Sequence, residues 1–251
     1  MRPRCQNLSR IAARAFALLA TVQLVGCTTV LPISDDQLSR MRDRSACVLP
    51  LTSVTGAGTS FFVTENWGLT AAHVVDDAPP GAHITITRYD TGRRVDLALA
   101  LPQRARWEDR APEDDWAVLY RADPTAPPPL ACVTPIDPYF IPEIGAELFT
   151  VGLLREDFDS APEDRLIRTL RLRVVEPPPD RDTSPELIWM RWPHDFAPKG
   201  FSGGPVYAQD DSGELVAVGL NIQAAQRGWS WWLVARRITP EMVSFAERAS
   251  R

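Results

Sequence analysis

From Ala46 onward the chain reads as short runs of Val, Ile, Leu, Phe and Thr broken by clusters of Gly, Pro and Asp. Runs of that length and make-up predict β-strands joined by turns, because branched and aromatic side chains suit a pleated, half-buried surface. Six fall near residues 47–54, 59–64, 68–70, 83–88, 95–101 and 116–120. A Pro-rich connection at 123–130 follows, and six more lie near 146–151, 166–175, 187–192, 204–208, 215–221 and 230–235. Within 166–175, Leu166, Leu170, Leu172 and Val174 share one face and Arg171 and Arg173 the other, which predicts one buried and one solvated side. A helix at 240–248 closes the chain, with Thr239 suited to cap it, Pro240 to open it and Glu241 to face the positive end of its dipole. The predicted fold is all-β: two packed six-stranded antiparallel β-barrels, at about 46–122 and 140–237, with a C-terminal α-helix.

Before Ala46 the pattern is different. Arg2, Arg4, Arg10 and Arg14 precede an apolar stretch from Ala15 to Val25. About eleven residues fall well short of the roughly 20 needed to span a bilayer, and the arrangement is that of a secretory signal peptide over 1–26. Residues 27–45 are polar and charged without a clean apolar period, and read as a tether with at most a short helix around 35–41.

Composition agrees with this division. With 45% hydrophobic and 24% charged residues over 251 positions, disorder is excluded as the main state, and 23 Pro argue against a helical bundle. The first 26 residues hold four Arg and no acidic residue, so the remainder carries 23 basic against 32 acidic groups and disfavours nucleic acid as a partner. Of four Cys, Cys5 belongs to the leader, while Cys47 and Cys132 form a pair available for a disulfide in an oxidising compartment, two buried free thiols being the alternative. Leu24-Val25-Gly26-Cys27 resembles the lipobox of bacterial lipoproteins. That resemblance implies acylation of Cys27 and a lipid-anchored, periplasm-facing protein of the bacterial envelope, with Thr28 in place of Asp pointing to the outer membrane.

Three segments can carry chemistry: Gly68-Leu-Thr-Ala-Ala-His73-Val-Val75, Glu113-Asp-Asp115-Trp-Ala-Val-Leu-Tyr120 and Lys199-Gly-Phe-Ser202-Gly-Gly-Pro-Val206. Each alone has an ordinary explanation, as a structural His, a strand-start Asp and a Gly-rich turn. In the order His73, Asp115, Ser202 they resemble the chymotrypsin-fold serine proteases, both the trypsin branch and the bacterial HtrA-type branch, over roughly residues 46–248. The resemblance implies a serine endopeptidase acting on a polypeptide substrate. Ser202 would be the nucleophile, His73 the base, Asp115 the residue orienting that base, and the N–H groups of Gly200 and Ser202 the oxyanion hole. It implies no metal or organic cofactor, and a zinc hydrolase is disfavoured because no His-Glu-x-x-His occurs.

Departures from the family pattern are informative. Phe201 stands where trypsin-like enzymes carry the Asp that receives a newly cut N-terminus, which implies a protease folded active without that ion pair. Phe196 stands six residues before Ser202, where an Asp would bind Arg or Lys, so small or medium apolar side chains are expected before the cleaved bond; Asp195 is the competing candidate for the pocket base. Ile222, Gln223 and Ala224 are expected to form the backbone wall of that pocket. Only 49 residues follow Ser202, too few for an additional peptide-binding module of the HtrA type. Two other functions compete: a binding or sensing lipoprotein on a protease fold without turnover, and an esterase using the same triad, the latter disfavoured because the three segments match the protease pattern rather than a Gly-x-Ser-x-Gly turn on an α/β-hydrolase sheet.

Overall fold

A computed structural model describes residues 32–45, 47–52, 57–75, 82–87, 94–102, 110–123, 125, 128, 132–153, 167–181, 183–194 and 197–251. The predicted leader, Cys27, Asp195 and Phe196 lie outside the described residues. The first sheet contains β1 (Val48–Thr52), β2 (Ala57–Phe62), β3 (Trp67–Thr70), β4 (His83–Thr87), β5 (Arg94–Ala100) and β6 (Ala117–Arg121), in the order β1-β2-β3-β6-β5-β4. The second contains β7 (Glu147–Leu153), β8 (Ile167–Arg173), β9 (Leu187–Trp192), β10 (Pro205–Gln209), β11 (Leu215–Arg227) and β12 (Ser230–Arg237), in the order β8-β7-β10-β11-β12-β9. Pairing within both sheets is antiparallel, and each curls until its edge strands approach, β1 near β4 and β8 near β9. The architecture is therefore the predicted pair of six-stranded antiparallel barrels.

Over much of the second sheet both faces are buried. Leu148, Leu172, Ile188, Met190, Trp192, Val206, Val218, Leu233 and Ala235 share one cluster, whereas their neighbours Phe149, Val151, Trp189, Tyr207, Ala217 and Val234 join a core continuous with the first sheet. Successive side chains of a strand point to opposite faces, so a run such as Leu187-Ile-Trp-Met-Arg-Trp192 can supply both cores at once. Tyr207 lies fully inside the shared core, where burial pushes its phenol pKa well above the ordinary value. A Cys47–Cys132 disulfide, with Cα atoms 5.4 Å apart, ties the start of β1 to the segment joining the barrels. Closing a loop across 85 residues of separation contributes about 4.6 kcal/mol in the chain-entropy treatment.

Three expectations change. Residues 35–45 are not a free tether but a helix, α1 (Asp35–Ser45), docked on the second barrel. Ser34 and Gln37 exchange side-chain and backbone hydrogen bonds at 3.2 Å, a reciprocal cap on its first turn, and Met41 is fully buried. Arg40 bonds Gly213 O at 2.9 Å and Glu214 Oε1 at 3.1 Å, so the helix is held through its polar side chains. Second, the arginine face of β8 is not simply solvated. Arg171 is 22% exposed, pairs with Glu147 and donates to Pro32 O at 2.6 Å, and together with Arg173 it holds the Glu147 carboxyl below its usual pKa. Third, β11 runs on to Arg227 instead of ending near Asn221, carrying Ile222, Gln223 and Ala224 as strand residues. At the C-terminus, α2 (Pro240–Ala249) opens as expected, Thr239 Oγ1 accepting from Met242 N–H.

Candidate active site

The register of β3 against β6 brings His73 to Asp115. Thr70, last in β3, pairs with Ala117, first in β6, so the turns leaving one and entering the other lie side by side. His73 is in a 3-10 turn, Ala72–Val74, anchored by the buried side chains flanking it. Asp115 ends a second such turn, Pro112–Asp114. The His73 N–H donates to Asp115 Oδ1 at 2.9 Å, and His73 Nδ1 lies 2.7 Å from Asp115 Oδ2. A carboxylate only accepts, so this contact places the ring proton on Nδ1 and leaves Nε2 with a free lone pair. The His73 side chain remains one-third exposed while that of Asp115 is 16% exposed, giving the imidazole an open face and a sheltered back.

Asp115 is braced from several directions. Arg110 brings Nη1 to 3.6 Å from Oδ1, its side chain only 3% exposed. From the second barrel, Arg236 on β12 donates through Nε to Glu113 O at 2.5 Å and pairs with Glu186 at 2.7 Å. Burial pulls the Arg236 pKa below the ordinary guanidinium value, with Glu186 opposing. Trp116 meets Phe245 of α2 edge to face, centroids 5.5 Å apart. Two charges and a C-terminal helix therefore converge on the segment that carries Asp115.

Ser202 occupies the glycine-rich turn before β10, and that turn is fastened to the first barrel. Thr59 on β2 donates its N–H to Ser202 O at 2.7 Å and its hydroxyl to Gly200 O at 2.9 Å, while its own carbonyl accepts from Thr70 Oγ1 at 2.8 Å. Gly203 has φ +82, and a Cβ there would lie 2.0 Å from Thr59 O and 2.4 Å from Thr70 Oγ1, so only glycine allows this approach. At Gly58 a Cβ would come within 2.7 Å of both Ser202 O and Val74, the residue after His73. The Ser202 turn and the His73 turn thus meet across a single missing side chain.

The same turn presents backbone donors. Gly204 N–H binds Phe201 O at 2.8 Å, which turns the N–H of Ser202, on the opposite side of that trans peptide, away from the bond. Among the described residues no acceptor satisfies the N–H of Gly200 or of Ser202. Phe201 is fully buried in the second-barrel cluster, edge to face with Trp192 at 5.5 Å, and packs against Gly152, where a Cβ would come within 2.7 Å of its ring. Apolar packing therefore holds the position at which the sequence departs from the Asp of trypsin-like enzymes.

Of the expected pocket residues, Ile222 turns its side chain into the shared core, Gln223 is exposed and Ala224 is partly buried. Thr59, Thr70, Arg110 and Arg236 were not singled out by sequence. Gly58-Thr59 was legible only as the start of a strand, and nothing in the sequence tied it to a turn 141 residues away. Thr59→Val is expected to lower stability by about 1–3 kcal/mol, because the buried Gly200 carbonyl loses its hydroxyl donor. Thr59→Ser should restore it, and thermal unfolding of the three proteins is the check; equal melting of the Val variant and the parent would remove the role assigned to that bond.

Residues 58–218 match the family model described as trypsin-like peptidase domain. No curated protein sequence matches the chain. Among solved structures, the scabies mite inactivated protease paralogue S-I1 superposes with a TM-score of 0.62 at 18% identity, covering 81% of this chain and 93% of its own. A Glu endopeptidase gives 0.60 at 15% identity, with 82% and 91% covered. The Rv3671c protease of M. tuberculosis, in an inactive form, gives 0.53 at 18% identity, with 88% and 99% covered. These similarities establish the fold; because an inactivated paralogue shares it, turnover has to be argued from the side chains.

Proposed function

The chain belongs to the trypsin-like peptidase family, and from that premise we propose that it is a serine endopeptidase tethered to a bacterial envelope membrane. The observation that carries the catalytic reading is the two-point hold of Asp115 on His73, at 2.9 and 2.7 Å, beside the turn that bears Ser202. In the proposed reaction, His73 Nε2 takes the Ser202 hydroxyl proton as Oγ attacks the scissile carbonyl. Asp115 stabilises the imidazolium that forms, the N–H groups of Gly200 and Ser202 receive the oxyanion, and the proton passes to the leaving amine. Water then attacks the acyl-enzyme by the same proton route in reverse order. One oxyanion donor is typically worth about 10²–10³-fold in kcat. Phe201 supports an enzyme competent without a cleaved N-terminus, since its buried ring leaves no carboxylate there to receive one.

The tether is part of the proposal. Five residue steps separate Cys27 from Pro32, spanning at most roughly 18 Å, so an acyl chain on Cys27 would hold α1 and the barrels close to the bilayer. The test has two arms. A fluorophosphonate probe should label the purified protein at Ser202, because it reacts with an activated serine; absence of labelling would favour a binding protein on a protease fold. Expressed in a bacterium fed labelled palmitate, the full chain should incorporate label and Cys27→Ser should not. Mature protein recovered in the soluble periplasm with an unmodified N-terminus would remove the lipid anchor.

A further inference from the structure

Three exposed apolar side chains crowd the segment leading into β7: Tyr139, Ile141 and Ile144 are 77%, 70% and 65% exposed. The segment is fixed from beneath. Phe140, between two of them, packs against the second-barrel cluster, and Asp137 N–H donates to Ala217 O at 3.0 Å. Glu143 O accepts from Ala146 N–H at 3.0 Å, closing a turn with Ile144 at its tip, and Gly145 takes the φ of +90 that the third residue of a type II turn requires. Gly145 N–H donates to Val174 O and Val174 N–H to Ala146 O, both at 2.8 Å, so this turn caps the ladder of β7 with β8. An ordered backbone therefore holds the three side chains in water. The chain toward Cys27 leaves the body next to them. Ile33 packs against the shared core, and Pro32 O accepts from Arg171 on β8 at 2.6 Å. Arg171 pairs with Phe149, three steps or about 10 Å along β7 from Ala146. The five steps from Pro32 back to Cys27 span at most roughly 18 Å, so an acylated Cys27 sets the bilayer within reach of this turn.

We propose that Tyr139, Ile141 and Ile144 form a second membrane contact, dipping into the interfacial layer of the bilayer that holds the acyl chains of Cys27. This contact rests on the lipid-tether reading and gives the tethered protein a fixed orientation. The segment suits that layer. Only Asp137 and Glu143 carry charge within residues 137–145, and the Asp137 carboxylate accepts from Tyr139 N–H at 2.9 Å. Pro138 and Pro142 have no N–H, and those of Tyr139 and Gly145 are bonded, so few backbone donors lose water on entry. Tyrosine is favoured at the headgroup level, where its ring meets the acyl chains and its hydroxyl meets water. A second copy of the chain is the poorer occupant, because three side chains fall far short of the roughly 20–30 residues a side of a stable protein interface. An acylated chain needs only a shallow added contact, whose strength grows with the apolar area it buries. Gly152, which packs against Phe201, lies six steps or about 20 Å along β7 from Ala146, so the Ser202 turn stands off the bilayer at the other end of the strand.

The test uses the full chain expressed in a bacterium, purified and reconstituted with phosphatidylcholine vesicles. An environment-sensitive fluorophore is attached at Glu143→Cys or, for comparison, at Glu247→Cys on the exposed side of α2. On vesicles, the probe at 143 is expected to shift to the blue and to be quenched by nitroxide-labelled lipid, while the probe at 247 stays in water. Adding Ile141→Asp with Ile144→Asp should abolish both signals at 143 and leave the thermal melt unchanged, since neither side chain is part of the core. A probe at 143 that remains in water on vesicle-bound protein, equal quenching at 143 and 247, or a blue shift without lipid quenching, the sign of a second copy covering the segment, would overturn the proposal. Mass spectrometry of the same preparations reads Cys27 separately. Lipid quenching at 143 in a chain with unmodified Cys27 would keep this contact and remove the tether, whereas an acylated Cys27 with the probe in water would keep the tether and remove the contact.

Discussion

Replacing Ser202 by alanine is expected to lower kcat for amide hydrolysis by about 10⁶-fold, the scale found when the nucleophile of such a triad is removed. The fold should survive. The turn is held by backbone groups, through Thr59 N–H to Ser202 O, Thr59 Oγ1 to Gly200 O and Gly203 N–H to Asn221 O, and none of these involves the serine hydroxyl. The measurement is steady-state turnover of a peptide substrate together with a thermal melt of both proteins. A variant that melts with the parent and still hydrolyses the peptide at the parent's rate would exclude Ser202 as the nucleophile.

Asp115→Asn should cost about 10⁴-fold in kcat with little change in substrate affinity, and the local geometry says why. The His73 backbone N–H donates to Oδ1, so an asparagine side chain must place its oxygen there. Its NH₂ group then takes the Oδ2 position, 2.7 Å from His73 Nδ1. An amide N–H can only donate, which forces Nδ1 to accept and moves the ring proton to Nε2. The nitrogen that should take the proton from Ser202 would already carry one. Turnover and KM for the variant, with an NMR assignment of the imidazole tautomer, test this directly. A kcat within tenfold of the parent, or a tautomer still protonated at Nδ1, would show that Asp115 does not orient His73.

Much of the site was legible because its chemistry imposes local sequence requirements. Gly203 and Gly58 cannot carry a side chain where the Ser202 turn meets β2 and Val74, so the nucleophile arrives inside a recognisable glycine cluster. His73 and Asp115 stand at strand ends, where alternating apolar runs stop, and the pairing of Thr70 with Ala117 makes those ends neighbours. The second sheet was legible for the same reason: Leu187–Trp192 is apolar at almost every position because both of its faces are buried. By contrast, α1 was underestimated. Its capping pair Ser34 and Gln37 is written in the sequence, but among the described side chains only Met41 is fully buried, and a helix held by Arg40 on Gly213 and Glu214 shows no apolar period.

The amino-acid sequence by itself determined the number of strands and their order along the chain, the closing helix and the three chemical segments. These follow from side-chain periodicity, turn chemistry and residue type, all of which act within a few positions along the chain. Only the tertiary structure decided that Thr59 holds the Ser202 turn, that Arg236 reaches Glu113 across 123 residues, and that β11 continues past Asn221 to Arg227. Such contacts depend on how two barrels are set against each other, and a threonine or arginine that makes one looks, in sequence, like any polar residue on a strand.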